Sequence, residues 1–321
     1  MAPPSSIPDA APRLTLLGQL VAASLAASTA VIFTNPLETA KTRLQLDGEA
    51  QAGGAARPRQ YAGVTDALRR IASREGVRGL QAGLSAACLY QCVMNGTRLG
   101  GYEPLQRALR EATGAGEHST AVKVAAAAAT GAVGAALGSP LFLIKARLQA
   151  QSPDFVPAET HAPYRGLWDG LTRVWRQEGA RGLLRGVDGA IPRVCVGSAV
   201  QLVSYDACRR ELAGRGLREG SPGHTVAAAL LSSFATVTAM HPIDVVSSRM
   251  YLSAGRQTRY AGPLDCLRQT LAIEGARALW KGWAAQYARL GPHMILTFAF
   301  LEALRPQVAQ VAAFCDGGGP G

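Results

Sequence analysis

Charged residues are scarce in this 321-residue sequence: Asp, Glu, Lys and Arg make up 17% of it, against about 25% in soluble globular proteins. The net charge of +11 is therefore carried by few groups, which argues against a nucleic-acid-binding protein with a uniformly basic surface. The apolar content of 48% is too high for a disordered chain. Because none of the six cysteines forms a Cys-x-x-Cys pair, neither a zinc site nor a disulfide framework is expected.

Recognisable catalytic motifs are missing as well. The sequence has no Gly-Lys-Ser/Thr phosphate loop, and no metal-ligand cluster or pair of nucleophile and base stands out. Residues 1–13 hold four prolines and a single arginine, unlike a secretory signal or an Arg-rich transit peptide. An enzyme is thus the least expected class, and we predict no cofactor and no metal.

Long runs without a charged residue indicate the class of protein. They cover Leu14–Leu37, Val124–Ile144 and Thr225–Ile243. Each run is long enough to cross about 30 Å of hydrocarbon at about 1.5 Å per residue. Between them lie three shorter apolar stretches, each interrupted by one arginine, around residues 84–102, 191–205 and 287–301. The pattern predicts a membrane protein with several spans.

An internal repeat divides the chain into three units. One template, Tyr-x-Gly-x-x-Asp followed after eight residues by Glu-Gly and after six more by Gly, occurs three times without insertion or deletion. The copies start at Tyr61, Tyr164 and Tyr260, and the prolines upstream of them are Pro36, Pro140 and Pro242. Because chance does not produce such a register, the chain is a triplicated unit of about 100 residues.

The repeat predicts an all-α membrane protein with six transmembrane helices in three tandem repeats, which form one transport domain. Each unit contains a long apolar helix, a loop, a short amphipathic helix at the membrane surface and a second membrane helix. The short helices are expected near residues 66–74, 169–177 and 265–273. The expected boundaries are 1–13 for a flexible N-terminus, 14–110, 119–213 and 223–308 for the repeats, and 309–321 for a flexible C-terminus. Of the 33 Lys and Arg residues, 21 lie within the units between the two membrane helices and nine on the opposite side, so the three loops share one face.

Three arginines, Arg98, Arg193 and Arg289, lie one in each second membrane helix. A charge near the middle of a membrane costs about 2.5–3.5 kcal/mol, so each guanidinium must face protein, water or a ligand. In each second membrane helix, every fourth position, counted from seven residues after the repeat glycine, lies on one stripe of mixed polar residues. The three stripes predict the lining of one central cavity. Guanidiniums bind carboxylate or sulfate bidentately, so we predict an anion site. Arg98 could alternatively pair with Glu103, and His293 is more typical of a packed polar residue than of a ligand.

The segments that begin at the three prolines indicate a family. They read Pro36-Leu-Glu-Thr-Ala-Lys41, Pro140-Leu-Phe-Leu-Ile-Lys145 and Pro242-Ile-Asp-Val-Val-Ser247. Together with the repeat blocks, they resemble the mitochondrial carrier family (solute carrier family 25) over about residues 14–308. The resemblance implies six tilted helices around a pseudo-threefold axis, alternating access through one central site, a monomer, and a place in the mitochondrial inner membrane with both termini toward the intermembrane space.

Four segments are most similar to one branch of this family, the oxaloacetate carriers with members 34 and 35. They are residues 89–91, 94–100, 139–145 and 289–293. This similarity implies transport of small dianions (oxaloacetate, sulfate or thiosulfate, malonate, isopropylmalate) by exchange or proton-coupled uptake. The alternative is a dicarboxylate or oxoglutarate carrier or an uncoupling-type anion or proton transporter, although many relatives carry arginine where Tyr90 stands. From the polar stripes and the resemblance, the expected substrate-binding residues are Arg193, Arg289, Arg98, Tyr90, Gln91, Val194 and Gln201.

The resemblance also implies a gate at each end of the carrier. The matrix gate comprises Glu38 with Lys145, Asp244 with Lys41, and the uncharged Phe142 with Ser247, braced by Gln45, Gln149 and Tyr251. The cytoplasmic gate comprises Tyr102, Glu103, Tyr205, Asp206 and Arg209. At that end only Glu103 and Arg209 remain a plausible bridge. Semi-exposed pairs contribute about 0–1 kcal/mol each, so we expect weak latches.

Membrane lipid is the expected partner besides the substrate. In the family, cardiolipin phosphates bind at helix N-termini, where backbone N–H groups favour anions. The family's lipid motif is complete at Trp280, Lys281 and Gly282 and partial at Gly186, whereas residues 81–83 have lost its aromatic and basic side chains. We therefore expect cardiolipin near Gly186 and Gly282, and no nucleic acid partner.

A soluble helical-repeat protein is the competing class, because such proteins also repeat pairs of helices. It would need polar outer faces, which the charge-free runs at Leu14–Leu37 and Val124–Ile144 do not provide. We expect the full chain to stay in the membrane pellet after alkaline carbonate extraction. Recovery in the supernatant, beside an integral membrane marker that stays in the pellet, would contradict the membrane assignment.

Overall fold

A computed structural model describes residues 16–47, 60–114, 116, 119–152, 164–184, 186–219, 221–253 and 260–315. The expected flexible N-terminus, residues 1–13, lies outside the described residues. The helices are α1 (Leu16–Leu46), α2 (Val64–Leu80), α3 (Leu84–Thr113), α4 (Thr120–Ala150), α5 (Leu167–Leu183), α6 (Val187–Gly214), α7 (Pro222–Ser253), α8 (Pro263–Glu274) and α9 (Trp283–Cys315), with a 3-10 helix at Ala276–Trp280 between the last two. No strand occurs in the described ranges.

The order of long helix, short helix and long helix occurs three times, as the repeat predicts. The helices long and apolar enough to cross a membrane are α1, α4 and α7, with candidate spans Gly18–Leu46, Thr120–Ala150 and Gly223–Tyr251. The second long helices, α3, α6 and α9, have 30, 28 and 33 residues. At about 1.5 Å per residue they also exceed the thickness of the hydrocarbon core. The all-α architecture with six long helices is therefore confirmed.

The six long helices form a closed ring. Around it the packing order is α1, α3, α4, α6, α7 and α9, which returns to α1. In addition α1, α4 and α7 contact one another, whereas the extensive contacts of α3, α6 and α9 are all with α1, α4 and α7. The ring is thus closed where α1, α4 and α7 converge. Their prolines lie inside the helices, which continue beyond them toward this closed end.

The Glu-Gly element of the repeat has a structural role that its sequence pattern does not reveal. Each glutamate forms an ion pair with a buried arginine of the preceding long helix. This arginine lies seven residues after the proline of that helix. The pairs are Arg43 with Glu75, Arg147 with Glu178 at 2.9 Å, and Arg249 with Glu274 at 2.6 Å. Removing one partner of a buried pair leaves an uncompensated charge and costs about 3–5 kcal/mol. These pairs hold each short helix against its own unit.

The aspartate of the template closes the turn that starts each short helix. Asp66, Asp169 and Asp265 each accept the backbone N–H of the residue four positions earlier, at 3.0, 2.9 and 2.9 Å. This N–H, which favours the ionised form, lowers the pKa of each carboxyl below its ordinary value. The repeated aspartate is thus a local structural device at the membrane surface.

The short helices and the C-terminus are longer than predicted. α2 and α5 continue past the Glu-Gly element through a bend at Gly76 and Gly179, each with φ of 66°. In the third unit Gly275, with φ of 77°, separates α8 from the 3-10 helix. Such left-handed values suit glycine, which has no Cβ to clash. The expected flexible C-terminus is wrong for residues 309–315, because α9 continues to Cys315.

The last glycine of each template brings one unit against the next. Gly83, Gly186 and Gly282 precede α3, α6 and α9 with φ of 69°, 92° and 83°. A Cβ would lie 3.1 Å from the carbonyl oxygen of Lys145, 2.7 Å from the ring of Tyr251 and 3.2 Å from the carbonyl oxygen of Lys41, respectively. These neighbours belong to α4, α7 and α1, so unit 1 contacts unit 2, unit 2 contacts unit 3, and unit 3 returns to unit 1.

We predict that Gly186→Ala destabilises the carrier more than Gly216→Ala does. Both glycines have left-handed backbone, with φ of 92° and 90°, which costs alanine about 1–2 kcal/mol. Only at Gly186 would the new Cβ meet another side chain, the ring of Tyr251, because Gly216 has open space around it. Overpacking adds about 1–3 kcal/mol, which should appear as an additional fall of Tm in detergent. Equal falls for the two variants would show that this contact is not tight.

Candidate functional site

A cavity of about 90 Å³ lies where the six long helices meet. Its charged lining residues are Glu38, Lys41, Lys145, Arg193, Asp244 and Arg289, and its uncharged ones include Tyr90, Gln91, Phe142 and Gln286. All six long helices contribute to this lining. The charged set contains four cations and two carboxylates, which leaves a formal excess of two positive charges.

The two ion pairs expected at the matrix end are formed at the floor of this cavity. Lys145 Nζ lies 2.7 Å from Glu38 Oε1, and Lys41 Nζ lies 2.5 Å from Asp244 Oδ2. The four side chains are only 2–12% exposed. The expectation of semi-exposed pairs is therefore wrong, because all four side chains are largely buried.

An aromatic cluster fills the place where a third ion pair would lie. The ring of Phe142 packs between Tyr90 and Tyr251, with centroid distances of 5.3 and 4.9 Å. Lys145 Nζ and the guanidinium carbon of Arg193 lie 5.4 and 5.3 Å from the same ring centroid, within the range of cation–π attraction. The sequence excluded an ion pair here but did not indicate this cluster, because the pairing of Phe142 with Tyr251 is visible only in three dimensions.

The two glutamines expected to brace the gate make different contacts. Gln45 Nε2 donates to Asp244 Oδ2 at 2.9 Å, and its carbonyl oxygen accepts from Ser248 at 2.8 Å. Gln149 instead accepts from Thr42 at 3.1 Å and donates to Asn35, also at 3.1 Å. Gln45 thus contacts a gate carboxylate directly, whereas Gln149 joins α4 to α1 beside the other pair.

Arg193 and Arg289 lie near the two gate carboxylates, Asp244 and Glu38. Their Nη1 atoms lie 3.8 Å from Asp244 Oδ1 and 3.7 Å from Glu38 Oε1. Each carboxylate therefore faces a close lysine and a more distant arginine. The Nε atoms of both arginines are buried and, among the described residues, have no hydrogen-bond partner. Both residues line the cavity.

The remaining predicted binding residues divide between the cavity and its surroundings. Tyr90 and Gln91 line the cavity, and Gln91 Nε2 lies 3.2 Å from His293 Nε2. Val194 packs into the hydrophobic core beside α4. The other two do not line the cavity: Arg98 is exposed, two turns or about 12 Å along α3 from Tyr90, and Gln201 is exposed on α6.

The predicted cytoplasmic gate is open. Glu103 makes its ion pair with Arg107 of the same helix, at 3.4 Å, and both side chains are about three-quarters exposed (73% and 74%). Tyr102, Tyr205 and Asp206 are half-buried, and the backbone carbonyl of Arg209 contacts His224 Nε2 at 3.0 Å. Since α3, α6 and α9 pack extensively only on α1, α4 and α7, the structure is closed at the gate with the two buried ion pairs and open at the other end.

The predicted lipid residues lie between the short helix and the second long helix of units 2 and 3. Trp280 is 45% exposed, but Lys281 Nζ lies 2.5 Å from both Glu274 Oε2 and the carbonyl oxygen of Asp47. The Lys281 ammonium is thus committed to protein acceptors. Gly186 and Gly282 are the close-approach glycines of units 2 and 3.

The geometry defines a class of protein: a ring of membrane helices around a charged central cavity that is gated at one end and open at the other. A family model described as mitochondrial carrier protein matches residues 12–113, 116–216 and 218–310. The chain belongs to the mitochondrial carrier family. It is therefore a transporter of the mitochondrial inner membrane.

Individual relatives cover nearly the whole chain. A mitochondrial oxaloacetate transport protein of Saccharomyces cerevisiae is 40% identical over 298 residues, 91% of this chain and 90% of the relative. Mitochondrial citrate transporter E of Aspergillus niger is 42% identical over 290 residues, 90% and 92% of the two chains. Solute carrier family 25 member 35 of Homo sapiens is 40% identical over 286 residues, 88% and 95%.

We predict that Lys145→Glu strongly reduces transport, because it places two carboxylates together at the closed end, and the loss of one partner of a buried pair costs about 3–5 kcal/mol. Adding Glu38→Lys should restore part of the activity. The restoration is partial because a lysine at position 38 would face Arg289, now 3.7 Å from Glu38. The measurement is anion exchange in proteoliposomes at equal protein incorporation.

Lys123→Glu, at the other end of α4, is the matched control for this charge reversal. It should exchange anions at the wild-type rate, because Lys123 does not line the cavity. A double variant no better than Lys145→Glu alone would contradict a functional role for the pair.

Proposed function

We propose that the chain transports small dianions of the oxaloacetate, sulfate or thiosulfate, malonate and isopropylmalate type by alternating access through the central cavity. The observation that carries the proposal is the charge of the lining: four cations against two carboxylates. A bound dianion would neutralise the excess of two positive charges. Burying unbalanced charge is costly, so this lining favours a ligand of opposite and equal charge.

Arg193 and Arg289 are the proposed ligands of the dianion. Each guanidinium has a planar fork of donors that matches a carboxylate or a sulfate face. Because the nearest carboxylate oxygens are 3.7–3.8 Å away, beyond good hydrogen-bond distance, these donors can turn to a substrate without breaking a close pair. Tyr90 and Gln91 complete the proposed site from α3.

The same two arginines connect the proposed site to the gate. Glu38 and Asp244 each face one lysine and one arginine. When a dianion attracts the guanidiniums, each carboxylate retains only its lysine, which weakens the closed end. A ligand shifts a conformational equilibrium only by its differential affinity for the two states, and this competition is a physical source of that difference.

The charge of the cavity favours a dianion over a more highly charged anion, because the lining holds an excess of two positive charges. The relatives include an oxaloacetate transport protein and a citrate transporter. A fully ionised tricarboxylate would exceed the compensating charge by one, so we favour the oxaloacetate and sulfate class over citrate. The alternative function is an oxoglutarate or uncoupling-type carrier.

Cardiolipin and a monomeric state remain part of the proposal. Because the Lys281 ammonium is bound to Glu274 and Asp47, lipid phosphate would depend on the backbone N–H groups at the starts of α6 and α9. The continuous ring within one chain supports a transport unit that needs no second copy.

We predict that Arg193→Ala and Arg289→Ala each reduce sulfate exchange in proteoliposomes by about thirtyfold or more, since truncating one member of a buried, charged contact costs about 2–5 kcal/mol. Arg193→Lys should be intermediate, because it keeps the charge but loses the fork. Arg305→Ala, a guanidinium further along α9 that does not line the cavity, is the control. Folding is checked by Tm in detergent.

Arg98→Ala tests the one predicted binding arginine that lies outside the cavity. A loss as large as that of Arg193→Ala would place Arg98 in the binding site despite its exposed position. Wild-type exchange in folded Arg193→Ala and Arg289→Ala variants would overturn the proposed site.

For the alternative function, a proton leak in sulfate-free liposomes, followed with an internal pH probe, would support an uncoupling-type carrier.

A further inference from the structure

A histidine beside the proposed substrate site bridges three helices of the ring. Both nitrogens of the His293 ring, on α9, have partners: Nδ1 lies 3.3 Å from Thr34 Oγ1 on α1, and Nε2 lies 3.2 Å from Gln91 Nε2 on α3. Gln91 lines the cavity. The ring is therefore connected to the cavity through one amide group.

The directions of these hydrogen bonds define the proton on the ring. In this orientation of Gln91 the amide nitrogen donates, so His293 Nε2 accepts and the ring proton is assigned to Nδ1. The Nδ1–H then donates to Thr34, whose hydroxyl donates in turn to the carbonyl oxygen of Ala30 at 3.1 Å. The chain of donors is consistent throughout and corresponds to a neutral imidazole.

In this neutral form Gln91 is poorly suited to an anion. With Nε2 turned to His293, the amide oxygen is the atom that Gln91 can offer to the cavity. A proton added at His293 Nε2 turns that nitrogen into a donor. The Gln91 amide would then rotate to accept with its oxygen, and its NH₂ group would face the cavity and a bound dianion.

The surroundings of the ring link its proton to the dianion. Burial of the ring and the positive charges of Arg289 on α9 and Lys145 on α4 disfavour a proton on His293, whereas Glu38 on α1 favours it; on α3 the facing group is the uncharged amide of Gln91. A dianion bound to Arg289 would offset the charge of that guanidinium, while Lys145 stays paired with Glu38. Proton binding and dianion binding therefore strengthen each other, as thermodynamic linkage requires for any pair of coupled ligands.

We propose that His293 takes up a proton when a dianion binds, with Gln91 as the group that transmits the change, so that the carrier moves dianion and proton together. The inference rests on the proposed dianion function and refines it, since it favours proton-coupled uptake over simple exchange. His293 acts here as a positioning residue, because it touches the cavity only through Gln91.

The test uses purified full-length carrier and sulfate as the probe. Addition of sulfate to weakly buffered carrier in detergent should raise the pH of the medium, and the apparent KM for sulfate exchange should rise with pH by up to about tenfold per pH unit. His293→Gln cannot take up the proton. It should retain exchange at saturating sulfate but lose both the proton uptake and the pH dependence of KM.

His224→Gln is the matched control, since His224 is also buried but contacts the backbone of Arg209; it should keep the proton uptake. Full proton uptake in His293→Gln would overturn the role of His293 while leaving dianion transport intact. Absence of any pH dependence of sulfate binding in the wild type would overturn it even if His293→Gln did not fold. Absence of sulfate binding and exchange in the wild type would overturn the proposed function and, with it, this inference.

Discussion

The structure depends on the neutralisation of two buried carboxylates, Glu38 and Asp244, at the point where α1, α4 and α7 meet. An ionised carboxylate removed from water is tolerated only when opposite charges and hydrogen bonds replace its hydration. Here each carboxylate is matched by a lysine within 2.7 Å and an arginine within 3.8 Å. The cations that close one end of the ring are therefore also those that make its centre attractive to anions.

The repeat supplies the frame that holds these charges in place. In every unit a buried arginine and the glutamate of the Glu-Gly element attach the short helix to the preceding long helix. In every unit a glycine with positive φ lets the second long helix approach the first long helix of the next unit. These devices are identical in all three units, whereas the residues that line the cavity differ. The residues that hold the helices together are thus repeated in each unit, whereas the residues that line the cavity are not.

Much of this was accessible from the sequence, because membrane helices and repeats are encoded locally. The charge-free runs, the template and its glycines predicted the six long helices and the three units, and the family resemblance of the proline segments implied both close ion pairs. The stripes also assigned Arg193 and Arg289 to one cavity, since both lie seven residues after a repeat glycine. Arg98 shared their residue type but not that register, which is why it lies about two turns away.

What the sequence could not provide depends on contacts between distant segments. The burial of the gate pairs, the cluster of Phe142 with Tyr251, and the bridge from His293 to Gln91 each join residues more than 100 positions apart. The paired arginine in each unit had a visible signal, its constant distance from the proline, but no local reason to assign its partner. Side-chain chemistry alone gave no indication of which polar groups would meet.

Phe142 stands where a third ion pair would lie between the central helices, and this has a consequence for how the carrier moves. The interfaces of α1 with α4 and of α1 with α7 each contain a close ion pair, whereas the α4–α7 interface has Phe142 against Tyr251. Separation of α4 from α7 breaks the contact of Phe142 with Tyr251 and, in the part of the chain that the structure describes, no close ion pair. We therefore expect the threefold architecture to open unevenly, with α4 and α7 parting before α1 releases either neighbour.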